Sequence, residues 1–138
     1  ATDTTLSRSA AGVLACEGSV MYQRNNILGT VSQSGGTPTG PIIENGSNAN
    51  GIYTRWADGT QICAFTSVGS SSGTTTWTYP AAFSAAPYVS SNNSASTTVV
   101  RVACAASIGT TSLVYQVVNE VGTRVASTIY IMAFGRWF

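Results

Sequence analysis

A chain of 138 residues has room for one domain with a modest extension. Only 8% of its residues are charged, every cation is an arginine and histidine is absent, against about 25% charged residues in ordinary soluble domains. The formal net charge is +1, and the arginines are scattered along the chain, so there is no electrostatic footprint for nucleic acid or an anionic membrane surface.

So little charge leaves two ways to cover a surface. Either Ser, Thr, Asn and Gly solvate it, or much of it lies against other copies of the chain. No apolar run approaches the ~20 residues of a spanning helix, and no signal-like segment opens the sequence, so membrane insertion is not expected. The chain starts at Ala1 rather than Met and reads as the C-terminal part of something longer. Cys16, Cys63 and Cys104 cannot all pair with one another, lack the C-x-x-C spacing of metal or redox sites, and read as small buried thiols. Without histidine there is no Ser-His or Cys-His nucleophile, and metals lose their commonest ligand. No catalytic residue, metal site or cofactor is therefore expected.

Residues 1–27 are rich in Ser, Ala and Thr. Their apolar positions, among them Leu6, Leu14 and Ile27, fit neither a heptad nor a clean strand. Residues 8–14 could form two helical turns, although Gly12 and Gly18 weaken a longer helix. The segment reads as a stalk ordered by partners. Residues 28–50 carry Gly29, Gly35, Gly36, Pro38, Gly40, Pro41 and Gly46, a density that punctuates rather than builds, so a surface linker is expected.

From residue 51 to 138, β-branched and aromatic residues recur with turn chemistry about every ten positions. Strands are expected at 52–57, 60–68, 74–79, 88–91, 97–106, 112–118 and 125–138. The predicted fold is all-β, an antiparallel β-sandwich of six to seven strands. Asp58-Gly59 predicts a two-residue hairpin turn pairing Trp56 with Gln61 and Arg55 with Ile62. In strand 97–106, Val100, Val102, Cys104 and Ala106 are expected to face the core, with Val99, Arg101, Ala103 and Ala105 on the other side. The last strand is apolar on both faces: Ile129, Ile131 and Ala133 oppose Tyr130, Met132 and Phe134. Leaving such side chains in water would forgo about 1.5–3 kcal/mol each, which predicts a homo-oligomer. Trp56, Trp77 and Trp137 are either platforms for sugar rings or, in the preferred reading, core residues.

Several motifs occur in a characteristic order: Leu28-Gly29-Thr30-Val31-Ser32-Gln33, Gly46-Ser47-Asn48-Ala49-Asn50-Gly51, Arg55-Trp56-Ala57-Asp58-Gly59-Thr60-Gln61-Ile62-Cys63, Tyr79-Pro80-Ala81-Ala82-Phe83-Ser84-Ala85-Ala86-Pro87 and Ala133-Phe134-Gly135-Arg136-Trp137. Over residues 28–138 the chain resembles the C-terminal tip of bacteriophage and prophage tail fibres. The resemblance implies a homotrimer at the distal end of a fibre on the virion, joined to upstream stalk or tail proteins and touching a host cell-surface glycan. Residues 60–137 also resemble the H-type lectins, small trimeric six-stranded sandwiches. Arg101-Val102-Ala103 approximates the lectins' Arg-Val-x-Ala strand, with Cys104 where they have Ala, and in that family the Arg touches sugar. The loops corresponding to two further lectin contacts are 69–73 and 119–124. Here they lack the family's aspartate and Trp-His pair, so N-acetylgalactosamine specificity does not carry over.

The candidate glycan-binding residues are Arg101, Asn119, Glu120, Arg124, Ser72, Gly73, Tyr88, Asn92 and Asn93. Arg101 either binds a hydroxyl, carboxylate or phosphate at a subunit boundary, or is held by Glu120, Glu44 or backbone carbonyls. If every connection reverses the chain, loops 69–73, 92–96 and 119–124 share one end of the domain; a sheet-to-sheet corner at 80–87 would separate them. Two rival functions remain. One is a structural trimerisation cap without receptor contact. The other is a polysaccharide depolymerase pairing Asp58 with Glu44 or Glu120.

Overall fold

The computed structural model describes residues 5–11, 13–93 and 100–138. In chain order the elements are β1 (Leu6–Ala10), β2 (Val13–Cys16), β3 (Ser19–Val20), a single helical turn α1 (Arg24–Ile27), β4 (Gln33–Ser34), β5 (Thr37–Pro38), β6 (Ile43–Asn48), β7 (Gly51–Trp56), β8 (Thr60–Val68), β9 (Thr75–Thr78), β10 (Tyr88–Asn93), β11 (Arg101–Ile108), β12 (Ser112–Asn119) and β13 (Thr128–Arg136). The chain is all-β in several antiparallel sheets. Residues 97–99, at the start of one expected strand, and residues 94–96 of the expected turn lie outside the described residues, as does Gly12.

Five strands in the order β10-β13-β8-β7-β6 form one sheet, and β11-β12-β9 form a second. The two sheets share one core: Cys63 on β8 and Ile129, Ile131 and Ala133 on β13 meet Trp77 on β9 and Leu113, Tyr115 and Val117 on β12. Alternation produces this layer, because successive side chains of a strand point to opposite faces. On β13, Ile129, Ile131 and Ala133 are almost fully buried, whereas Tyr130, Met132 and Phe134 are about half exposed. Phe65 stacks on Trp77 across the layer at 6.1 Å, Tyr79 meets Trp77 edge-on at 4.9 Å, and Phe83 continues the row at 5.1 Å. Tyr115 donates its hydroxyl to Ser67 Oγ at 2.7 Å, tying β12 to β8.

Four expectations change. Of residues 8–14, read as two helical turns, 8–10 belong to β1 and 13–14 to β2, which pair antiparallel with Arg8 opposite Leu14. The expected linker supplies β4, β5 and the edge strand β6. β6 pairs with β7 from Ile43 opposite Trp56 to Asn48 opposite Gly51, so a boundary at residue 51 would cut a hairpin. Its turn is closed by Asn50 N–H donating to Asn48 Oδ1 at 2.8 Å, an Asx turn. On β11, Ala103 packs against the core, while Val102 is half exposed and Val100 is 67% exposed, the reverse of the expected faces. A bulge between Ala105 and Ser107 then shifts the register so that Ile108 lies opposite the buried Leu113. Finally, only Cys63 of the three cysteines is buried; Cys16 and Cys104 are intermediate, and all three are free thiols.

The β7–β8 turn also differs from expectation. Arg55 lies opposite Gln61 and Thr54 opposite Ile62, one residue out of the predicted pairing, because the loop holds three residues rather than two. Gly59 N–H donates to Trp56 C=O at 3.0 Å, and Gly59 takes the left-handed conformation at φ +94°, the three-residue hairpin with a glycine bulge. A one-residue slip exchanges the faces of a strand, so Tyr53, Arg55, Gln61 and Cys63 share the inner face. Asp58 does not carry the positive φ; it accepts a hydrogen bond from Thr60 N–H at 2.8 Å. That bond, helped by Arg136 nearby, lowers the Asp58 pKa from 3.8. A lowered folded pKa means that stabilisation is present above the unperturbed value and is lost as the pH falls through the folded one. Asp58→Ala should therefore cost about 1 kcal/mol at neutral pH and less in strong acid, where the neutral carboxyl is the weaker acceptor, as read from urea midpoints at the two pH values. An equal cost at both would contradict this.

Candidate functional site

The register gathers most of the candidate residues at one end of the domain. Val68, closing β8, lies opposite Thr128, and Asn93, closing β10, lies opposite Ile129. In the other sheet, Arg101 opens β11 opposite Asn119, which closes β12. The two sheets are joined there by Asn93 Nδ2, which donates to the Arg101 carbonyl. Loop 69–73, Asn92, Asn93, Arg101 and the 119–124 turn thus share an end. The Asp58-Gly59 turn and residues 109–111 occupy the opposite one.

Several of these residues build the turns that carry them. Asn119 Oδ1 accepts from Thr123 N–H at 2.8 Å and from Val121 N–H at 3.2 Å, and Gly122 N–H closes on the Asn119 carbonyl at 3.0 Å. Arg124 is exposed and donates Nε–H to Gln116 Oε1 at 2.8 Å. In loop 69–73, Ser70 Oγ accepts from the Ser72 and Gly73 amides at 3.2 Å each. Glu120 and Asn92 are exposed.

Arg101 and Asn93 differ from the rest. Arg101 Nε and Asn93 Oδ1 are both closed off from solvent, and among the described residues neither has a hydrogen-bond partner. A buried donor and a buried acceptor are thus left unsatisfied on two residues joined by the Asn93 Nδ2 contact, the kind of deficit that buried polar groups rarely carry. Neither Glu120 nor Glu44 accepts from Arg101 Nε. Glu44 takes Tyr53 O–H on Oε1 at 2.8 Å and Val31 N–H on Oε2 at 3.0 Å; the first bond raises the Tyr53 pKa.

Tyr88 is not part of this end. It opens β10 opposite Phe134 and is 82% exposed, so it belongs to the outer face of the five-stranded sheet. On that face is a feature missed by sequence reasoning, an open groove of about 600 Å³ lined by Ile52, Ala64, Thr66, Ser90, Asn92, Tyr130 and Met132 among others. Its signal was the outward alternation of β8, β10 and β13, which becomes a shared surface only once the register is known.

The tryptophans sit as core and brace rather than as open platforms. Trp77 is 2% exposed. Trp137 donates Nε1–H to the Trp56 carbonyl at 2.8 Å, and the Arg55 guanidinium lies 5.6 Å from its ring. Arg55 is held by Gln61 Oε1 at 2.7 Å, and Gln61, fully buried, donates to the Ala81 carbonyl at 2.9 Å. Burial pushes the Cys63 thiol up and the Tyr79 hydroxyl up to about 12, so neither is a nucleophile near neutral pH.

Glu44 is committed to the β6–β7 hairpin, while Asp58 and Glu120 lie at opposite ends, so the expected pairings of Asp58 with Glu44 or Glu120 are not assembled within one copy. Among the described residues no three His, Cys, Asp or Glu side chains gather as a metal site requires, and no helix is long and apolar enough to cross a membrane. No family model, curated protein or solved structure matches the chain.

Proposed function

We propose that this chain is the homotrimeric tip of a phage tail fibre, with residues 1–27 as stalk, and that it recognises a host cell-surface glycan for adsorption. The tail-fibre part rests on the sequence motifs from Leu28 to Trp137. The recognition part rests on one observation: Arg101 and Asn93 carry an unpaired donor and acceptor at the end shared by exposed Asn92, Glu120 and Arg124. Hydroxyl groups, which both accept and donate, can satisfy an unpaired N–H donor and an unpaired amide oxygen alike. Sugars present hydroxyls of this kind in number. Asn92, Glu120 and Arg124, exposed at the same end, offer first contact. Avidity from three copies per fibre would compensate for weak single sites.

Binding of the assembled protein to whole host cells or a glycan array tests this. Saturable binding is expected, weakened at least tenfold, about 1.4 kcal/mol, in Arg101→Ala and less in Arg124→Ala, with the oligomer intact. Absence of binding by the wild type across host glycans would remove recognition and leave the structural cap. Release of reducing ends from host polysaccharide would instead favour the depolymerase.

A further inference from the structure

The outer face of the five-stranded sheet exposes Tyr88 at 82%, Ile52 at 61%, Tyr130 at 53%, Phe134 at 47% and Met132 at 46%. The register makes them neighbours: Tyr88 is opposite Phe134, Ser90 opposite Met132, and Ala64 opposite both Met132 and Ile52. Small residues, Ala64, Thr66 and Ser90, alternate with these large ones, and the groove of about 600 Å³ runs over them. Tyr88 lies beside this groove without filling it.

We infer that this face is the contact between copies of the chain, with Tyr88 of the partner subunit entering the groove. Three observations select a second copy as occupant. None of the outward positions from Asn92 and Tyr130 to Tyr88 and Phe134 is charged, and Arg136, the next outward residue of β13, is engaged by the Asp58 and Phe138 carbonyls at the far end. An acidic polysaccharide or a charged peptide lying in the groove would therefore lose hydration without a counter-charge beside it. The face carries both an exposed knob and an unfilled groove, so a copy supplies what the face lacks with no other component. The patch is also large: with about 150–250 Å² for an aromatic side chain, the exposed fractions above amount to on the order of 600 Å² per copy, below the ~800 Å² per partner of a standard interface but at the upper end of what a monomer's surface carries. Ser90, Ser91, Asn92 and Thr66 line the groove and offer partners for the entering phenol O–H, which a buried tyrosine needs. The number of copies rests on the homotrimer proposed above, in which each copy gives Tyr88 to one neighbour and its groove to the other, a heterologous contact that closes into a ring.

Analytical ultracentrifugation at micromolar concentration separates the outcomes. The wild type should sediment as an oligomer. Tyr88→Arg and Thr66→Arg, both at exposed positions, should each shift it to monomer with an unchanged far-ultraviolet circular dichroism spectrum. Val121→Arg, a change at an exposed apolar residue in the 119–124 turn, should leave it assembled. If Thr66→Arg does not fold, Tyr88→Arg decides alone. An oligomer indifferent to both substitutions would overturn this interface while leaving the homotrimer standing. A monomeric wild type, including one whose groove takes up an alkyl glycoside or an apolar peptide, would overturn both.

Discussion

Trp77→Ala should remove about 3–5 kcal/mol of stability, the range for truncating a buried large aromatic. Trp77 is 2% exposed and stands where the two sheets are joined. Its ring stacks on Phe65 from the facing sheet and receives Tyr79 edge-on. Its Nε1–H donates to the Asn50 carbonyl at 2.8 Å, so the same side chain pins the β6–β7 turn to β9. The substitution therefore opens a cavity, removes two ring contacts and strips a carbonyl of its donor. Against a total of about 5–15 kcal/mol for a domain, the loss is at least about a fifth. Trp77→Phe separates the contributions, because it keeps a ring against Phe65 and loses the indole donor and part of the volume. It should cost roughly half as much. Urea denaturation followed by circular dichroism measures both; a change below about 1 kcal/mol for Trp77→Ala would refute the central role of this residue.

How far these contacts could be read beforehand differs by element. β7 to β13 were legible because each is a run of β-branched and aromatic residues bounded by turn chemistry, and β13 displays its two faces in plain alternation. β6 was not. Ile43-Glu44-Asn45-Gly46-Ser47-Asn48 has one strong strand former, and it pairs because tertiary contacts favour it. Gly46 leaves room for the Tyr53 ring, which would meet any Cβ there at 2.4 Å, and the Tyr53 hydroxyl reaches Glu44. Neither contact is local in sequence.

The inversion of β11 has a different origin. Hydropathy ranks Val102 above Ala103, so the pattern pointed the valines inward. β11, however, is an edge strand whose outward face is free to carry apolar side chains, and its inward side is packed loosely, with a gap of about 180 Å³ lined by Val89, Ala103, Ala105 and Leu113 among others. The candidate site was legible as a set of loops but not as an arrangement. The lectin-like strand pattern named Arg101 and loop chemistry named Asn93 and Asn119, whereas pairing register decided that they share an end and that Tyr88 does not.

Gly51→Ala should be as damaging as the loss of the Trp77 side chain, although only one methyl group is added. Gly51 opens β7 at φ +124°, beyond the left-handed well near +57° that Asn or Asp can occupy. Its added Cβ would stand 2.3 Å from the Ala64 carbonyl oxygen and 3.2 Å from Phe65 Cβ. Backbone in a sheet cannot swing aside, so the β7–β8 pairing at Ile52 and Ala64 must open. Strain of about 1–3 kcal/mol and the loss of one or two ladder bonds at about 1 kcal/mol each give roughly 3 kcal/mol. Gly59→Ala provides the comparison. It also has a positive φ, +94°, but the nearest atom, at 2.3 Å, is the terminal Nη2 of Arg136, on a flexible exposed side chain that can move. Its cost should be near 1–2 kcal/mol, mostly conformational. If thermal or urea midpoints rank the two glycines equally, the positive φ alone controls both. If Gly51 is clearly the more sensitive, the backbone contact with Ala64 is what makes the residue indispensable, and the groove edge that Gly51 helps to form is disturbed with it.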